Sequence, residues 1–183
     1  MDYMKNAIIL HGTGDLPGMF WFPFVAEELR ARGFEVWVPQ LPNAEKPNLA
    51  DWLPFILENG KFGVETVLIG HSAGAQIILS LLESGDIKVK QAILVSGYSK
   101  PLPKTANDPK NQDSFDWEKI KGKADEFVFI NSDNDPWECT DAQGKIMADN
   151  LGGRLIVMHD GHMGSQTHSQ LYKEFPLILE LIK

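Results

Sequence analysis

Ser72 has the sequence context of a catalytic nucleophile. It is the centre of GHSAG, residues 70–74, which fits the pattern Gly-x-Ser-x-Gly. An apolar run at 66–69 precedes this segment and a helical pattern at 75–82 follows it, so we predict a sharp strand-to-helix turn with Ser72 at its apex. The two glycines leave room for the backbone to approach itself closely. Because three fixed letters also occur by chance, the hypothesis depends on whether partners for the serine exist.

Two later segments offer the base and the acid that a serine nucleophile needs. Residues 131–137, NSDNDPW, follow the fifth predicted strand, and residues 159–165, HDGHMGS, follow the sixth. An imidazole must take the serine proton, and a carboxylate must orient that imidazole. We predict His162 as the base and Asp135 as the acid, with Asp133 as a competing acid that could instead brace the loop. The chain order Ser, Asp, His is that of the α/β-hydrolase triad.

An oxyanion formed during acyl transfer needs two backbone donors. The residue after the nucleophile supplies one of them in this type of turn, which is Ala73 here. The other comes from the loop after the first strand, where the chain reads HGTG at 11–14. We predict Thr13 as this second donor.

Short apolar runs alternate with helical patterns along the chain. The predicted strands are 7–10, 35–38, 66–69, 91–95, 126–130 and 154–158; the predicted helices are 24–32, 49–58, 75–82, 140–150 and a terminal helix carrying Leu171, Phe175, Ile178 and Ile182. No hairpin signal joins adjacent strands, so we predict the α/β class, with a parallel sheet and helices on both faces. A polar segment at 97–123 interrupts this rhythm and is long enough for a functional loop or small cap. Within this segment, residues 115–117, FDW, suggest that part of it packs against the rest of the protein.

Composition limits the partners that the protein can have. The 183 residues are 43% hydrophobic, which suits one domain spanning 1–183. A net charge of -8 argues against nucleic acid or an anionic membrane as partner. The first apolar run is too short for a signal peptide or membrane span, so we expect a cytoplasmic protein.

The remaining histidines and the one cysteine receive structural interpretations. We expect His11 and His71 to satisfy local hydrogen bonds and His159 to be a core histidine. Cys139, the single cysteine, excludes an internal disulfide, and we expect it to be inert because no base is obvious near it. The spacing of histidines, cysteine and acids matches no metal motif, and no Walker or Rossmann glycine loop is present. We therefore expect no metal and no cofactor.

The motifs at 11–12, 70–74, 132–136 and 161–162 together resemble the small α/β-hydrolase family of serine hydrolases that includes retinoblastoma-binding protein nine. The connection at 39–42, followed by Trp52, also resembles that family. The resemblance implies a minimal α/β-hydrolase with strand order 2-1-3-4-5-6, little or no lid, and Ser72, Asp135 and His162 as triad. It implies neither a substrate nor a protein partner, because the Leu-x-Cys-x-Glu-type segment of the family's retinoblastoma-binding role is missing from this sequence.

Two classes of function follow from these patterns. The favoured one is hydrolysis of a small ester, thioester or amide through an acyl-enzyme, with a small-molecule acyl substrate as partner. The alternative is a protein-binding module that keeps the hydrolase scaffold without turnover. Within enzymes, a minimal lipase or an exopeptidase is a further alternative, because the segment 97–123 sets the shape of the pocket.

Overall fold

A six-stranded parallel sheet forms the centre of the computed structural model, which describes residues 5–103 and 112–183. Its order is β2-β1-β3-β4-β5-β6, and every pairing is parallel. The strands are β1 Asn6–Leu10, β2 Glu35–Trp37, β3 Thr66–His71, β4 Val89–Val95, β5 Ala124–Ser132 and β6 Arg154–Met158. Both the α/β class and the order 2-1-3-4-5-6 are confirmed.

Helices cover both faces of the sheet. They are α1 Phe22–Ala31, α2 Leu49–Asn59, α3 Ala73–Ser84, α4 Trp117–Ile120, α5 Asp141–Leu151 and α6 Pro176–Leu181. Residues alternate between the faces along each strand, so Ile8 and Leu68 pack with α2, α3 and α5, whereas Ile9 and Val67 pack with α1 and α6. The central strands are therefore buried on both sides, which explains their continuous apolar runs.

The terminal helix is shorter than the sequence pattern predicts. It begins at Pro176, and Leu171, which we assigned to it, is 65% exposed outside the helix. Proline has no N–H to give to a preceding turn, and its fixed φ suits the first helical position. The prediction of a helix that includes Leu171 is therefore wrong.

The segment 97–123 docks onto the sheet through its second half. Phe115 is buried in the same core as α3, and Trp117 begins the short helix α4 beside it. Residues 104–111 lie outside the described residues. The prediction of a functional loop or small cap at 97–123 therefore falls partly on them, and so does the expectation of little or no lid.

Candidate active site

Ser72 occupies a strained turn between β3 and α3. Its backbone has φ of 54° and ψ of -117°, a conformation that L residues rarely adopt. A Cβ on Gly70 would collide with the backbone of Gly74, and a Cβ on Gly74 would collide with the carbonyl oxygen of Leu10. The sequence reads GHSAG here because side chains at both positions would prevent the turn.

A cavity of about 310 Å³ opens above Ser72 at the carboxyl edge of the sheet. The segments that follow all six strands contribute to its lining, which includes Thr13, Asp15, Glu45, Ser72, Tyr98, Leu102, Trp137, Cys139, His162 and Ser165. Ligand sites of open parallel sheets lie at this edge. The cavity is therefore where the chemistry of Ser72 would take place.

His162 and Asp135 form a buried pair beside this cavity. The Nδ1 atom of His162 lies 2.7 Å from Oδ2 of Asp135, and the side chains are 6% and 0% exposed. The second carboxylate oxygen accepts the backbone N–H of Trp137 at 2.8 Å, which fixes the carboxylate in place. Burial lowers the pKa of the His162 imidazole below its usual range, although the hydrogen bond to Asp135 acts in the opposite direction. Burial thus favours the neutral form of the imidazole, and Nδ1 is turned toward the acid.

Three side chains from other parts of the fold hold the backbone of His162. Its carbonyl oxygen accepts hydrogen bonds from His71 Nε2 and Ser96 Oγ, both at 2.9 Å. Its N–H donates to the side chain of Gln170 at 2.8 Å. Sequence reasoning missed the contacts of His71 and Ser96 because both residues are distant from His162 along the chain. The expectation that His71 satisfies local hydrogen bonds is therefore wrong for its Nε2 atom.

Of the predicted oxyanion donors, Thr13 lines the cavity above Ser72 and Ala73 follows Ser72 directly in the chain. Ala73 is the first residue of α3, so its N–H has no acceptor within the helix. Thr13 lines the cavity, and the N–H of the preceding Gly12 donates to the Asp15 carboxylate at 3.1 Å. The Gly12 amide is therefore occupied, and Thr13 as second donor stays a prediction.

Comparison with known proteins identifies the family. A family model described as serine hydrolase matches residues 7–183. The chain belongs to this serine hydrolase family.

Relatives of this serine hydrolase match it over most of its length. YdeN of Bacillus subtilis (strain 168) is 30% identical over 97% of this chain and 94% of its own. Serine hydrolase RBBP9 of Rattus norvegicus is 28% identical over 89% of this chain and 88% of its own. The resemblance stated from the motifs is confirmed at the level of the family.

Solved structures confirm the fold of the serine hydrolase. The crystal structure of the B. subtilis ydeN gene product superposes with a TM-score of 0.85 at 29% identity, covering 97% of this chain and 96% of that one. Est1E from Butyrivibrio proteoclasticus reaches a TM-score of 0.69 at 17% identity, covering 100% of this chain and 86% of that one. The second likeness concerns the fold alone.

Cys139 lies at the centre of the site rather than away from it. Burial, together with the negative charges of Asp135 and Glu138, raises the pKa of the thiol well above its ordinary value, and the neighbouring Ser72 hydroxyl opposes this rise only weakly. The sulfur, a carboxylate oxygen of Asp135 and a ring nitrogen of His162 all lie within 4.8 Å of one another. Our statement that no base lies near Cys139 is wrong, while its raised pKa agrees with an unreactive thiol.

The other histidines are placed as follows. His11 bonds the Gly12 carbonyl through Nδ1 and accepts the N–H of Leu41 through Nε2, so it is a structural residue as expected. His159 is 78% exposed and pairs with Asp133, so the prediction of a core histidine is wrong. Asp133 thereby faces a different histidine from the one that Asp135 contacts.

The part of the chain that the structure describes contains no helix long and apolar enough to cross a membrane.

Proposed function

We propose that this serine hydrolase cleaves a small ester, thioester or amide through an acyl-enzyme on Ser72. The observation that carries the proposal is the buried Asp135–His162 pair, which keeps a neutral imidazole in the cavity that Ser72 shares. A neutral imidazole has one nitrogen lone pair free to accept a proton. With Nδ1 directed at Asp135, that lone pair is on Nε2.

The first half of the reaction forms the acyl-enzyme. His162 Nε2 takes the Ser72 proton as Oγ attacks the carbonyl carbon, and Asp135 stabilises the resulting imidazolium. The N–H groups of Thr13 and Ala73 bind the oxyanion. His162 then returns the proton to the leaving group as the tetrahedral intermediate collapses.

The second half releases the acid. A water molecule gives its proton to His162 and attacks the acyl carbon, and Ser72 leaves with that proton. We expect a hydrogen bond from the Ser72 hydroxyl to His162 when substrate binds, because catalytic hydrogen bonds often tighten only in the Michaelis complex.

The size and charge of the cavity support a small substrate that is neutral or cationic. Its volume of about 310 Å³ is at the lower end of ligand pockets. The acidic side chains among its described lining residues are Asp15 and Glu45. An anionic substrate would be repelled by both.

Labelling with a fluorophosphonate followed by intact-mass measurement tests the proposal without knowledge of the substrate. We expect one mass equivalent on the wild type and none on Ser72→Ala. Ser165→Ala is a matched control, because Ser165 also lines the cavity, and it should remain labelled. A folded wild type that takes no label would contradict the proposal and favour the protein-binding alternative.

A further inference from the structure

Three metal-binding side chains meet beneath the cavity, although no local sequence motif joins them. Asp135 and Cys139 belong to the loop after β5, and His162 belongs to the loop after β6. Their donor atoms lie within 4.8 Å of one another, all three residues are buried, and Cys139 and His162 line the cavity. Carboxylate, thiolate and imidazole together form a donor set typical of zinc.

We propose that a zinc ion binds Asp135, Cys139 and His162 and thereby inhibits the enzyme. This proposal rests on the proposed function for the role of His162 and adds a regulatory ligand to the same site. Ligand atoms around a tetrahedral zinc ion stand about 3.3 to 3.8 Å apart, given bonds of about 2.0 to 2.3 Å. Donor atoms that lie within 4.8 Å of one another need side-chain shifts of at most roughly 1 Å to approach that geometry.

The backbone around the three ligands is held in place. The Asn131 side chain donates to the Cys139 carbonyl at 2.9 Å, and Trp137 N–H donates to the Asp135 carboxylate at 2.8 Å. His162 is fixed through its carbonyl by His71 and Ser96. Such support reduces the ordering cost of binding and favours a site of three protein ligands. The fourth position faces the cavity, where water or the Ser72 hydroxyl would complete the coordination.

Bound zinc would stop the reaction at its first step. A neutral imidazole has one nitrogen lone pair, so a histidine that gives it to zinc has none left for the Ser72 proton. Cys139 would bind as the thiolate, with its proton released to solvent, and the His162 proton would remain on the ring nitrogen that does not bind the metal. Zinc is therefore expected to inhibit by removing the base rather than by filling the cavity.

A cadmium titration tests binding without requiring turnover. Cadmium takes thiolate ligands as zinc does, and a thiolate–cadmium bond absorbs in the ultraviolet. Cys139 is the single cysteine of the chain, so any such band reports this residue alone. We expect a saturable band in the folded wild type. His162→Ala and Asp135→Asn should each raise the cadmium concentration for half-saturation at least about tenfold, since even partners outside a coordination sphere are worth that much.

The parallel readout is zinc inhibition of ester hydrolysis, expressed for each variant relative to its own metal-free rate. Cys139→Ala should raise the zinc concentration for half-inhibition at least about tenfold. His159→Ala is the control, because this exposed histidine beside Asp133 is the obvious surface site for zinc, and it should change neither readout.

Two results would overturn the proposal: a folded wild type without a cadmium band, or a band whose half-saturation is the same in His162→Ala. Either result would leave fluorophosphonate labelling of Ser72, and with it the proposed function, intact. Conversely, a cadmium band in a protein that takes no label would support the metal site while the proposed function failed.

Discussion

Two aspartate–histidine pairs connect the same two loops and differ only in their surroundings. Asp133 and His159 lie 2.6 Å apart, and Asp135 and His162 lie 2.7 Å apart. The first pair is 52% and 78% exposed, whereas the second is 0% and 6% exposed. Two residues along the loop after β5 and three along the loop after β6 separate the surface contact from the buried one.

The comparison shows that hydrogen-bond distance alone does not identify a catalytic pair. Water screens the outer pair, and such pairs contribute about 0 to 1 kcal/mol to stability. Around the inner pair there is little water to screen charge, so burial lowers the pKa of His162 and the hydrogen bond to Asp135 orients its ring. Under the proposed function, the cavity that His162 shares with Ser72 gives the inner pair a catalytic task that the outer pair lacks.

The two pairs also share a scaffold. Between them, the Asn134 side chain accepts the N–H of Gly161 at 2.9 Å, and the Ser132 hydroxyl accepts the N–H of Asp160 at 3.2 Å. The loops are therefore linked several times over. Loss of the outer pair should leave the geometry of the inner pair intact.

Exchanging each acid for its amide gives the largest predicted difference between the pairs. Asp135→Asn should lower kcat/KM for an activated short-chain ester by about 10⁴, because an amide favours the wrong imidazole tautomer. Asp133→Asn should change the rate by less than about threefold, because the free energy of a weak surface ion pair corresponds to a factor of about this size. Steady-state kinetics on both variants, with circular dichroism to verify folding, measure this. An inactive Asp133→Asn beside an active Asp135→Asn would move the triad acid by two residues.

The sequence predicted the strands and the turn around Ser72 because their determinants are local, whereas the sheet order was predicted only through the family resemblance. Apolar periodicity defines the strands. In GHSAG at 70–74, the two glycines allow the close backbone approach that the turn requires. The environments of Asp133 and Asp135 were harder to predict, since both follow β5 and their exposure depends on tertiary packing. The proline after Asp135 favoured the inner acid through its effect on the preceding backbone.

Contacts between residues far apart in the chain could not be predicted from the sequence. His71 and Ser96 reach the His162 carbonyl over 91 and 66 residues, and Cys139 meets His162 across two loops. No pattern near these residues in the sequence indicates that they contact His162. Three-dimensional proximity alone reveals them.

A change at Thr13 reduces turnover while sparing both pairs. Thr13→Pro removes the proposed oxyanion amide and should lower kcat by about 10² to 10³. Thr13→Gly keeps the amide and should cost far less. Since neither variant touches His162, the pH dependence of the remaining activity should match the wild type. Equal losses in both variants would mean that the hydroxyl or loop packing matters, and that another amide is the donor.

The pH dependence of turnover reports the inner histidine. The base must be neutral, and burial keeps His162 neutral to lower pH than an ordinary histidine. Activity should therefore be retained as pH falls through about 6.5, and the acid limb of kcat/KM should have its midpoint below that value. Asp133→Asn, which alters only the outer pair, should not move the limb. A midpoint at or above the usual histidine value would contradict the burial argument.

The smallest predicted effect is the coupling within the outer pair itself. Asp133→Asn, His159→Ala and the double variant form a cycle whose coupling free energy, from urea unfolding, should be at most about 1 kcal/mol. Both side chains are more than half exposed, so added salt should reduce the coupling further. The loops keep their links through Asn134 and Ser132, so no single variant should unfold the protein. A coupling of several kcal/mol that does not fall with added salt would mean that the outer pair is shielded from water as the inner pair is. The difference between the pairs would then have to come from their distances to Ser72.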